Sequence, residues 1–114
     1  MSSVKVSLLF LLIASPLSSM AALQCGNFYL KSGDDGWMRV NGVKAESQKI
    51  TFLKAKEDYD NVKIQIMLPD KNTGRWLGMD YIRRNGKPIL NVEAVRMNMD
   101  EPRVFGTYDC VKVK

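Results

Sequence analysis

The sequence predicts an all-β fold, a small antiparallel barrel or sandwich of about seven strands closed by one disulfide. Three observations predict it. Apolar stretches are short, alternate with polar residues and are punctuated by turn residues, with no long 3.6-residue stripe. Asn-Gly pairs stand at residues 41–42 and 85–86, the strongest short signal for a type I′ hairpin because both central positions need positive φ. The only two cysteines, Cys25 and Cys110, lie near the ends of the part of the chain that is expected to fold.

That part is residues 22–114, because residues 1–21 read as a removable export signal. Lys5 supplies a positive start, residues 6–14 (VSLLFLLIA) form a short apolar core, and Ser15-Pro16 breaks it before small residues at Ser19 and Ala21. An apolar run of about nine residues is too short to cross a bilayer, which takes about 20, so cleavage is expected in place of a retained anchor. The remainder suffices for one domain and is too short for two cores. In an oxidising compartment two cysteines normally pair. Such a bond would close nearly the whole exported chain, a constraint worth roughly 4 to 5 kcal/mol in the chain-entropy picture. Lipidation of Cys25 is the alternative, but Gln24 stands where a lipidated cysteine normally has a small residue.

Each element follows in order. Residues 26–31 carry Phe28, Tyr29 and Leu30, and Ser32-Gly33-Asp34-Asp35-Gly36 stops them. Residues 37–40 pair back through Asn41-Gly42 onto a strand beginning at Val43, and residues 49–53 (KITFL) are β-branched and aromatic. Residues 54–61 (KAKEDYDN) are charged and read as a solvated loop or a short helical turn. Val62, Ile64, Ile66 and Leu68 alternate with polar or flexible residues, the clearest half-buried strand. Residues 69–74 (PDKNTG) turn the chain into residues 76–83, with Leu77, Met79 and Tyr81 on one face and Trp76, Gly78, Asp80 and Ile82 on the other. Residues 89–95 return across Asn85-Gly86. Residues 96–101 (RMNMDE) are ambiguous between a strand end and a helical turn, and a last strand runs from Val104 with Phe105, Tyr108, Val111 and Val113.

The residue types that carry catalysis are poorly represented, and no enzyme activity is expected. Histidine is absent, which removes the commonest general base and metal ligand. Of Asp34, Asp35, Asp58, Asp60 and Asp80, the first four sit in turn-like segments where carboxylates shape turns. Ser32 and Ser47 lack a Gly-x-Ser-x-Gly setting, and Asp34-Asp35-Gly36 falls far short of a calcium loop. No cofactor and no metal are expected. The formal charge of +5 drops by one when Lys5 leaves, a modest excess suited to an acidic partner or lipid headgroups at the surface and not to nucleic acid.

Binding is therefore the expected mode of action. Residues 74–87 mix Trp76 and Tyr81 with Arg83, Arg84 and Lys87, the residue types that dominate protein interfaces. Trp37, beside its Gly-rich turn, is a further candidate contact. Ordinary packing competes with this reading, since Trp76 and Tyr81 face opposite ways and the basic residues can serve a hairpin tip. The five methionines of the exported region (Met38, Met67, Met79, Met97 and Met99) read as core filler.

An exported β domain with a cysteine near each end resembles the small periplasmic C-type lysozyme inhibitors, but residues 32–36 (SGDDG) lack the tyrosine of that family's Ser-Gly-x-x-Tyr motif. Residues 25–30 (CGNFYL), 76–81 (WLGMDY) and 105–110 (FGTYDC) are similar to Cor-type superinfection-exclusion proteins of lambdoid phages. That resemblance implies export to the periplasm or the outer membrane and the blocking of an outer-membrane receptor, notably the ferrichrome transporter, against further phages. The family is often lipid-anchored, from which Gln24 departs. The alternatives are inhibition of a host hydrolase such as lysozyme, or a structural envelope role.

Overall fold

The computed structural model describes residues 21–113, so the export signal read at residues 1–21 lies almost wholly outside the described residues. Nine strands form one antiparallel sheet: β1 (Leu23–Cys25), β2 (Phe28–Ser32), β3 (Met38–Val40), β4 (Val43–Lys44), β5 (Ser47–Phe52), β6 (Val62–Asp70), β7 (Arg75–Arg84), β8 (Lys87–Ala94) and β9 (Val104–Lys112). Their order across the sheet is β4-β3-β2-β1-β9-β8-β7-β6-β5. The two terminal strands thus meet in the middle, and the chain zigzags outward from them in both directions.

The all-β class and the antiparallel pairing agree with the sequence reading, while the strand count and the closure differ. Nine strands replace about seven: β1, three residues long, is too short to show an alternation, and the strand expected from Val43 is a separate two-residue element, β4. Gly26, at φ +59°, turns β1 into β2 with Asn27, a two-residue connection that begins with the glycine a type II′ turn requires. The sheet is neither a closed barrel nor a sandwich. It curls into a half-barrel whose edges, β4 and β5, are consecutive in the chain and are joined through Ala45 and Glu46. At that corner the Ala45 amide donates to the Met38 carbonyl at 3.0 Å and the Glu46 amide to the Met67 carbonyl at 2.8 Å. One residue thus extends the β3 ladder and the next extends the β6 ladder.

A side chain stitches the same seam. Gln48 Oε1 accepts from the Met38 amide at 2.9 Å, and its Nε2 donates to the Gly36 carbonyl at 3.0 Å. The amide stands in for the backbone pairing that the edges do not make, which covers an otherwise open strand edge.

Burial follows the pleat. Val62, Ile64, Ile66 and Leu68 of β6 point inward, and the register lays Ile64 beside Tyr81 and Tyr81 beside Leu90, with Ile66, Met79 and Val92 forming the next row. Leu23, Leu30, Met38 and Val40 complete the core from the other half of the sheet. Cys25 and Cys110 face each other in register on β1 and β9 and are disulfide-bonded. The bond staples two interior neighbours and closes no sheet edge, and it leaves Cys25 no thiol to carry a lipid. Both Asn-Gly pairs turn as expected, with Asn41 at φ 50° and Gly42 at 83°, and Asn85 at 51° and Gly86 at 78°.

Candidate interaction surface

The residues of 74–87 do not form one site, because they lie at opposite ends of a long strand. Trp76 stands near the start of β7 and Arg84 at its end, about 26 Å apart at the rise of a β-strand. Tyr81 lies between them and is wholly buried. It is a core residue and not a contact residue: its position on the inner row of the sheet removes it from the surface. Burial pushes its hydroxyl pKa up, with the Arg83 guanidinium pulling the other way.

At the Asn85-Gly86 end an acidic loop packs over the basic tip. Asn61 Oδ1 accepts from the Asn85 amide at 3.0 Å, the Gly86 amide donates to the Asp60 carbonyl at 3.0 Å, and Lys54 Nζ donates to Asn85 Oδ1 at 3.2 Å. Arg83 Nε lies 3.8 Å from Asp60 Oδ1 and is largely withdrawn from solvent. Arg84 and Lys87 are exposed. Trp37 is half-buried against the core, with Lys44 Nζ 5.5 Å from its ring centre. Its turn is fixed by Asp35, which accepts two hydrogen bonds from Arg39, at 3.0 and 3.1 Å, and one from the Trp37 amide at 3.0 Å. Arg39 and that amide hold the Asp35 carboxyl well below the usual carboxylate range.

The surface at the other end of the sheet has a different character. Among the described residues, nine large hydrophobic side chains are exposed, and six of them gather where β7 begins, β8 ends and β9 begins: Trp76, Val95, Met97, Met99, Val104 and Phe105. Their exposure runs from 41% for Val95 to 86% for Met99. The Val95 amide donates to the Trp76 carbonyl at 2.8 Å, and Glu93 faces Phe105 across β8 and β9. Arg75, Glu93, Glu101 and Arg103 border these side chains with charge.

Ion pairs flank the patch. Glu101 pairs with Arg75 and accepts from the Met97 amide at 2.6 Å, which pins the loop of residues 95–103 across the start of β7. The Arg75 guanidinium, helped by the Met97 amide, lowers the Glu101 carboxyl to about 2. Arg103 binds Glu93 through two nitrogens at 2.9 and 2.8 Å and sets its guanidinium 4.7 Å from the Phe105 ring centre. The same guanidinium lowers the Glu93 pKa.

Behind the patch the half-barrel opens. A cavity of about 510 Å³ enters the interior between the Asn41-Gly42 and Asp70–Gly74 turns, walled by Phe28, Val40, Leu68, Leu77 and Tyr108, with Val104 and Phe105 at its lip. Of the residues singled out from sequence, only Trp76 belongs to this surface. Met97, Met99, Val104 and Phe105 were missed as contacts, although two methionines in a polar segment without strand or helix periodicity were a signal that they need not be core.

Comparison of the chain with protein-family models, with curated proteins and with solved structures finds no match.

Proposed function

We propose that this is an exported, non-enzymatic domain that binds a protein of the cell envelope and, as a superinfection-exclusion factor, blocks an outer-membrane receptor. The observation that carries the reading is the patch of Trp76, Met97, Met99 and Phe105 beside the open apolar cavity. Aromatic, methionine and arginine side chains around a pocket that can take an anchor are what protein interfaces concentrate. The structural disulfide fits a periplasmic or outer-membrane setting, since such bonds persist in oxidising compartments and are rare in the cytosol.

Challenging cells that export the protein with a panel of phages tests this. Resistance confined to phages that share one outer-membrane receptor is the expected result. Sensitivity unchanged across the panel would remove receptor blocking. Slowed wall lysis by a hydrolase, without phage resistance, would move the assignment to hydrolase inhibition.

A further inference from the structure

A second surface, on the outer face of the sheet, has the chemistry of a polyhydroxylated ligand site. The register of β5 to β9 lines up one side chain from each strand: Lys49, Gln65, Asp80, Asn91 and Thr107. Five strands at about 4.8 Å spacing make this row about 19 Å long, the span of a short oligosaccharide. The row forms the floor of a groove of about 830 Å³.

The adjacent row explains the depth. There Ser47, Met67, Gly78, Glu93 and Phe105 are register partners. Gly78 sits at the centre without positive φ, and a Cβ there would make only ordinary contacts, at 3.5 Å to Met67 Sδ and 3.8 Å to the Glu93 carbonyl. Neither backbone conformation nor packing therefore demands glycine. Besides bulges and tight bends, glycines inside strands occur where a ligand or another backbone approaches closely, and Gly78 leaves room for such an approach.

Two polar groups at the centre of the row are unspent. Asn91 Oδ1 accepts from Thr107 Oγ1 at 2.7 Å, whereas among the described residues the side chains of Gln65 and Asp80 have no hydrogen-bond partner, although both are half-buried. Partly desolvated amide and carboxylate groups gain from a ligand that supplies donors and acceptors. Charge narrows the class. Glu93 is neutralised by Arg103, and the row itself carries one lysine and one aspartate, so a polyanion finds no basic surface here. Two planar amides, a carboxylate, an ammonium and one hydroxyl in line suit the repeated hydroxyls of a neutral sugar chain.

We infer that this groove binds a linear, uncharged oligosaccharide lying across β5 to β9. The inference does not rest on the protein partner assigned to the Trp76 patch, although Phe105 borders both surfaces.

Amide NMR titration of the exported protein with tetra-N-acetylchitotetraose and with cellotetraose is the test. With at least one sugar, saturable shifts should appear at Gln65, Gly78, Asp80 and Asn91. Gly78→Val, which fills the groove floor with a residue suited to strands, should weaken binding by about tenfold or more while keeping the dispersed spectrum. Asp80→Ala should weaken it without touching the fold, and this second variant decides the matter if Gly78→Val fails to fold. Arg84→Glu, at the far hairpin tip, should leave it unchanged. No saturable shift with either sugar overturns the inference, as does unaltered affinity in the folded groove variants. A neutral peptide of matching length that shifts the row when the sugars do not would make the groove a peptide site and equally overturn it.

Discussion

Tyr108 shows how single positions hold this sheet in shape. Its ring fills the space that a Cβ would need at two glycines: a methyl at Gly26 would stand 2.5 Å from Tyr108 Cδ1, and one at Gly106 would stand 2.9 Å from its Oη. Phe28 meets the same ring edge-on at 5.7 Å. Gly106→Ala must displace the ring and should cost about 1 to 3 kcal/mol, the usual range for overpacking. Gly78→Ala meets only ordinary contacts, relieves the entropic cost of a strand glycine and should be neutral or stabilising by up to about 1 kcal/mol. Urea midpoints of the two variants check the contrast. Glu101 acts at the same scale, on the loop that carries Met97 and Met99. Its carboxyl is lowered to about 2 when folded, against about 4.3 in an unfolded chain. The sign follows: the stabilisation is present above about pH 4.3 and is lost as pH falls toward 2. Amide exchange in residues 95–103 should therefore quicken, relative to the sheet, across that window. In Glu101→Gln the loop should exchange faster at neutral pH and lose most of its acid dependence, leaving the part that belongs to the Glu93–Arg103 pair, whereas an undiminished acid dependence in the variant would assign it to another group.

Elements differ in how openly the sequence announced them. β6 was legible because Val62, Ile64, Ile66 and Leu68 form a half-buried alternation, and the two Asn-Gly hairpins were legible because their φ values demand those residues. Pairing of Cys25 with Cys110 followed from their number and setting. β1 was not legible, since three residues before a Gly-Asn turn carry no periodicity. β9 could have been read better: Phe105 and Tyr108 are three residues apart and cannot share a face of a strand. Tyr108 packs against the core and Phe105 is exposed. The patch stayed hidden because the exposure of Met97 and Met99 depends on where Glu101 pins their loop, a contact that local pattern does not encode. The seam was equally invisible, since it depends on a long-range bond between Gln48 and residues 36–38. Gln48→Leu leaves the Met38 amide and the Gly36 carbonyl without this partner, which should cost about 1 to 3 kcal/mol. Faster exchange at the Met38 amide, with the β6 and β7 amides falling only by the global loss, is the expected pattern.

At the scale of the whole molecule, the curled sheet separates two ends with different surfaces. One end carries Arg84 and Lys87 beside an acidic loop that partly offsets them. The other carries the exposed apolar side chains, their arginine neighbours and the open cavity. The proposed function assigns partner binding to the second end. A direct measurement compares phage resistance in cells exporting three forms: the native chain, Met99→Ser with Phe105→Ser, and Arg84→Glu with Lys87→Glu. All four side chains changed are exposed, so stability should move by no more than about 0.5 kcal/mol per site, which melting curves of the purified proteins verify. Resistance lost only in the Met99/Phe105 variant, with its melting curve unchanged, is the predicted result. Resistance retained there and lost in the Arg84/Lys87 variant would contradict the assignment and return the binding surface to the basic hairpin tip.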